Sequence, residues 1–134
     1  MISRRDVLAG AAALGLAALV PQQALAEQAV VLGEKTVDFN ESRDVIQVGR
    51  SEGRFTHLKL AVQESPVFLE RVLVHYGNGD VVELPVRERI RRNGETRFIE
   101  LPGDRARIIR RIEIHYARAA EGDRARITAI GRTD

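Results

Sequence analysis

Nine arginines stand between residues 87 and 111, at 87, 89, 91, 92, 97, 105, 107, 110 and 111. Only four acids share the stretch, Glu88, Glu95, Glu100 and Asp104, so it carries a formal +5. A guanidinium is a planar fork of donors that grips a carboxylate or phosphate at two points, which a lysine ammonium does not do. The pattern therefore reads as an anion-facing surface built from Arg87, Arg89, Arg91, Arg92, Arg97, Arg105 and Arg107. Its partner would be an anionic lipid head group, an anionic glycan or an acidic protein surface. A bland reading competes with this one. The whole chain uses 19 Arg and 2 Lys, so arginine is its general surface cation and such a run also describes a solvated face.

Three histidines, His57, His75 and His115, supply the alternative chemistry. Each falls opposite the apolar series of its own strand pattern, so a shared sheet would let two or three imidazoles converge on zinc or copper. No H-x-H or H-x₃-H spacing supports a metal, and three separate, solvated strand histidines are the reading the sequence favours. The chain has no Cys, which removes disulfides and thiolate chemistry. Its serines, at 3, 42, 51 and 65, lie in no G-x-S-x-G elbow. No phosphate-binding G-K-[ST] exists, and Gly77-Asn78-Gly79 opens no helix. The acids are too scattered to set a glycosidase pair at a defined separation. The expectation is a binding or scaffolding module, not an enzyme, with no cofactor.

These side chains would be carried on strands. Thr56 to Val62, Arg71 to Tyr76 and Arg111 to Tyr116 alternate apolar and polar residues with period 2. Ala125 to Ala129 reads as a closing strand, and 36–39 and 45–48 as short ones. Asn78-Gly79 predicts a type I′ hairpin between 70–77 and 80–86. Pro102-Gly103 suits a type II turn, and Glu121-Gly122-Asp123 joins the last strands. Val86 to Arg92 is rich in helix formers, which makes one turn of helix plausible there but not a long helix. The strings Arg71-Val72-Leu73-Val74-His75-Tyr76 and Arg111-Ile112-Glu113-Ile114-His115-Tyr116 echo each other, as two core strands with a rim tyrosine would. Seven to eight short strands at this spacing predict an all-β, antiparallel, jelly-roll-like β-sandwich. In an antiparallel stack of this kind the arginine-bearing connections could end on one side, and if they do their summed field favours anions.

Residues 1–26 read as a cleaved export signal. Arg4-Arg5 precede the apolar run Val7–Val20, and Ala24-Leu25-Ala26 forms an A-x-A cleavage site. The adjacent arginines resemble the twin-arginine export motif. This places the folded domain at 27–134 and the protein in the periplasm or outside the cell. No run reaches the roughly 18 apolar residues of a membrane span. The whole chain carries +2, which makes no case for nucleic acid.

The ordered set Val48-Gly49-Arg50, Tyr76-Gly77-Asn78-Gly79, Leu84-Pro85-Val86, Gly94 to Gly103 and Arg124-Ala125-Arg126-Ile127 resembles a group of small exported bacterial β proteins classed as a domain of unknown function. The resemblance spans roughly residues 43–132. It implies a periplasmic β domain and brings no activity or catalytic residues with it.

Overall fold

The structure, a computed structural model, describes residues 29–49, 53–103, 105–119 and 122–133. The expected signal at 1–26 and the boundary at Glu27 lie outside the described residues. The period-2 segments form ten strands: β1 (Ala29–Val37), β2 (Arg43–Gln47), β3 (Arg54–Phe55), β4 (His57–Gln63), β5 (Val67–Tyr76), β6 (Val81–Leu84), β7 (Glu88–Ile90), β8 (Ile99–Glu100), β9 (Arg107–Arg118) and β10 (Ala125–Arg132). Every pairing is antiparallel.

One sheet runs β1-β10-β4-β8 and the other β2-β9-β5-β6, with β3 added to β9 and β7 to β5. With the two short additions set aside, eight strands remain. Apart from the β5–β6 hairpin, successive strands of the eight alternate between the two sheets, which is the path of a jelly roll. The inward residues of both sheets make one core that includes Leu58, Leu60, Val62, Val72, Val74, Ile112, Ile114 and Ile127. Parity explains the repeated strings: β5 and β9 are neighbours, with Arg71 opposite His115 and His75 opposite Arg111. Tyr76 and Tyr116 bury their rings and direct their hydroxyls to Pro102 O at 2.8 Å and Asp44 Oδ2 at 3.1 Å.

Two local expectations are corrected. Residues 88–90 form no helical turn. They are an edge strand against Val67–Leu69, because Ile90 is worth burying there and sheet pairing overrides helix propensity. The hairpin after β5 is not type I′. Only Gly79 has positive φ, at 98°; Gly79 N bonds Tyr76 O and Tyr76 N bonds Asp80 O. That is a three-residue loop, a type I turn closed by a left-handed glycine. Asn78 does its work through its side chain, whose Oδ1 accepts from Asp80 N at 2.9 Å. No atom stands within 4 Å of a Cβ placed on Gly79. Gly79→Val should therefore cost only backbone strain, about 1–3 kcal/mol, read as a lowered melting temperature with an unchanged far-UV spectrum.

Candidate anion-binding groove

The β2-β9-β5-β6 sheet gives the molecule two poles. At one, β5 begins and β9 ends, with Val67 opposite Arg118; at the other, Tyr76 faces Ile109 beside the Gly77–Gly79 loop. Phe68 and Tyr76 are thus about 26 Å apart along β5 at ~3.3 Å per residue.

The arginine stretch divides between these poles instead of ending on one side. Arg89 pairs opposite Phe68, and Arg87 stands 5.8 Å from the Phe68 ring centre. Arg91 and Arg92 continue from β7 into the next turn, at the same pole. Arg97 lies between the poles, beside β4, where the flanking Glu95 bridges Ala61. Arg105, Arg107 and Arg110 gather at the hairpin pole, because β9 starts there. The division follows from topology. β7 adds to the start of β5, whereas the segment from Gly94 to β8 runs the length of β4 before β9 begins.

At the hairpin pole a groove of about 790 Å³ is lined by Gln47, Arg54, Asn78, Arg107, Ile108 and Arg110, among others. A β-bulge builds it. His75 pairs with Arg111 but Tyr76 pairs with Ile109, which leaves Arg110 without an opposite residue. Ile109 and Ile112 are both buried, so the two residues between them, Arg110 and Arg111, project outward. Bulges commonly re-aim side chains beside functional sites. Arg107 keeps the inward parity of Ile109 at the mouth of the sandwich, and its guanidinium lies 4.9 Å from the Tyr76 ring centre. Burial pushes the Tyr76 hydroxyl pKa up, while Arg107 pulls it down and Asp80 adds to the rise. Arg54 is held opposite Ile108 by the β3–β9 pair, and Ile108 is 40% exposed. Val48 N bonds Arg110 O at 3.1 Å, which fixes the end of β2 against the bulge.

Some arginines elsewhere meet carboxylates: Arg43 with Glu113, Arg71 with Glu83, and Arg124 and Arg126 with Glu64. Among the described residues no ion pair engages Arg54, Arg107 or Arg110, and no acid is among the residues lining the groove. Three guanidinium groups around an open concavity are set to receive an anion. Of the groove's arginines, Arg107 and Arg110 were visible in the sequence as part of the cationic stretch. Arg54, Gln47 and Asn78 were not, since they lie far from it along the chain and only the β3–β9 and β2–β9 pairings bring Arg54 and Gln47 to it.

The histidines do not share a sheet. His57 is on β4 of the four-stranded sheet, on its outer face opposite Leu58, Leu60 and Val62. His75 and His115 are on the outer face of the other sheet, with the core between. These two do come together, on a carboxylate: Glu113 lies 3.3 Å from His75 Nε2 and 2.8 Å from His115 Nε2, through different oxygens. Arg43 Nε donates to the same carboxylate at 2.8 Å. That bond, with those to the two imidazoles, holds the Glu113 carboxyl down at about 2 against the opposing effect of burial. Among the described residues no group of three or more His, Cys, Asp or Glu is placed to hold a metal ion.

The chain belongs to the family described as a domain of unknown function (DUF2541), whose profile matches residues 11–131. No curated protein matches it. Among solved structures it is similar to AlgX of Pseudomonas aeruginosa, at 13% identity and a TM-score of 0.50. That match covers 78% of this chain and 27% of the AlgX chain, so the chain spans about a quarter of that protein's length. It is also similar to a point mutant of CBM29-2, a family 29 carbohydrate-binding module, at 16% identity and a TM-score of 0.35, over 78% of this chain and 91% of that one. The likeness to AlgX concerns the fold alone.

Proposed function

We propose that this family member is an exported, non-catalytic binding module that takes an anionic ligand in the groove at its hairpin pole. The observation that carries the reading is the convergence of Arg54, Arg107 and Arg110 on one concavity with no carboxylate partner among the described residues. The volume lies within the range of ordinary ligand clefts. Export rests on the basic, apolar and A-x-A succession of residues 1–26.

The test is binding to polyacrylate, a bare polycarboxylate. Wild-type protein should bind at low ionic strength and lose most of that binding near 0.5 M salt, where the Debye length falls to about 4–5 Å. The triple variant Arg54→Gln, Arg107→Gln, Arg110→Gln should bind at least tenfold more weakly. The variant Arg89→Gln, Arg91→Gln, Arg92→Gln, at the other pole, should bind as wild type does. The reverse ranking would move the site to the β7 edge, and wild type indifferent to polyacrylate at low salt would end the anion reading. Mass spectrometry of exported protein should find Glu27 at the N-terminus, and an uncleaved chain starting at Met1 would remove the export claim.

A further inference from the structure

We infer that the groove ligand is an acidic oligosaccharide, taken as a carboxylated sugar segment and not as an isolated anion or a lipid surface. The inference rests on the anion reading above and narrows it. Three features of the groove carry it. The first is the mixture of donors. Arg54, Arg107 and Arg110 supply guanidinium forks suited to carboxylates, while Gln47 adds a neutral amide; the amide of Asn78, in the same lining, is engaged by Asp80. An amide both donates and accepts, which matches a hydroxyl; a site meant only for phosphate or carboxylate would have no use for the acceptor.

The second feature is the floor. Ile108, 40% exposed, lines the groove opposite Arg54 in the β3–β9 pair, and Val48 is part of the same lining. A sugar ring presents an apolar C–H face as well as its hydroxyls, so a ligand lying on Ile108 with its charges outward meets all three kinds of group at once. A free phosphate would leave that floor wet. The third feature is shape. At about 790 Å³ the groove is larger than one anion needs, and pockets of roughly 300–1,000 Å³ take ligands of several rings. A lipid-docking tip would instead be convex and carry clustered apolar side chains. The large exposed hydrophobics among the described residues are Val31, Val81 and Ile108; they come from different strands, and only Ile108 is in the groove.

Calorimetric titration with tetragalacturonate separates the terms when run beside two controls: its methyl ester, which keeps rings and hydroxyls but loses charge, and polyacrylate, which keeps charge but loses rings. The acid should bind at least tenfold more tightly than the ester, and at least tenfold more tightly than polyacrylate per carboxylate. Gln47→Ala and Ile108→Ser, both in exposed positions, should each weaken the sugar acid several-fold and leave polyacrylate unchanged. Amide chemical-shift changes on adding the sugar acid should map to residues 47–48, 54, 76–78 and 107–110. Equal affinity for polyacrylate and the sugar acid would overturn the sugar inference and leave the anion reading standing. Binding to neither would end both. Vesicles of phosphatidylglycerol bound more tightly than the sugar acid, with the same shift map, would assign the groove to a membrane surface and overturn the inference.

Discussion

Gly33→Ala should lower the melting temperature of the domain by about 5–20 °C, the equivalent of about 1–3 kcal/mol of overpacking in a domain near 100 residues. A Cβ on Gly33 would stand 2.5 Å from the carbonyl oxygen of Gln47 and 3.0 Å from Ile46 Cγ2. The first of these is backbone, and Gln47 is committed to its pairing with Arg111, so the carbonyl cannot simply rotate away. Gly33 follows a register shift in the β1–β10 pair, between Val31 and Gly33. There β1, an edge strand of one sheet, presses on β2, an edge strand of the other, and the missing side chain lets the sandwich close. Gly79→Ala is the internal control. It has space and unfavourable φ, whereas Gly33 lacks space. Thermal melts followed by circular dichroism decide it, and a Gly33→Ala loss no larger than that of Gly79→Ala would show that the two edges can part cheaply. Because Gln47 also lines the groove, the same substitution should weaken ligand binding even where the protein remains folded.

That glycine also marks a limit of reading the sequence. Strands with strict alternation were legible: β4, β5 and β9 each bury every second residue over part of their length, and period 2 is a local signal. β1 was only partly legible, because Gly33, Glu34 and Lys35 interrupt the pattern and Leu32 and Val37 are its buried members. β7 was hidden, since a single β-former, Ile90, among helix formers gives no period-2 signal, and the segment is shaped by the edge of β5. The jelly-roll class followed from strand number and spacing. Strand order did not, because it depends on which edges meet across distant segments.

The candidate site was less legible for the same reason. Arginines were countable along the chain, but their grouping depends on where β7 and β9 begin relative to β5. A window of residues 87 to 111 joins side chains about 26 Å apart along a strand and leaves out Arg54, which β3 brings opposite Ile108. The histidines show the converse. Their outward parity was correct, but parity does not say which sheet a strand joins, so His57 was grouped with two residues on the far side of the core.

The remaining large effect concerns Glu113, the point where three adjacent strands are tied. Arg43 reaches it from β2 and His75 from β5, while His115 lies two residues along β9 on the same face. The carboxyl is held at about 2 against an ordinary 4.5, chiefly by the Arg43 bond. A carboxyl depressed on folding binds fewer protons folded than unfolded in the interval between those values, so its contribution is complete above about 5 and disappears as pH falls through about 4.5 to 2. Glu113→Gln should therefore cost about 1–2 kcal/mol at neutral pH, toward the lower range for hydrogen bonds to charged groups because Arg43 is largely solvated. The wild-type and variant melting curves, recorded from pH 7 to pH 2, should converge at the acid end. Glu83→Gln, which breaks the exposed Arg71–Glu83 pair on the same face, should shift the curve far less. Melting curves for Glu113→Gln and wild type that stay parallel to pH 2 would mean the carboxylate is incidental to stability. Convergence would assign that stability to the ionised carboxylate, through which Arg43 of β2 and His75 of β5 are tied to β9.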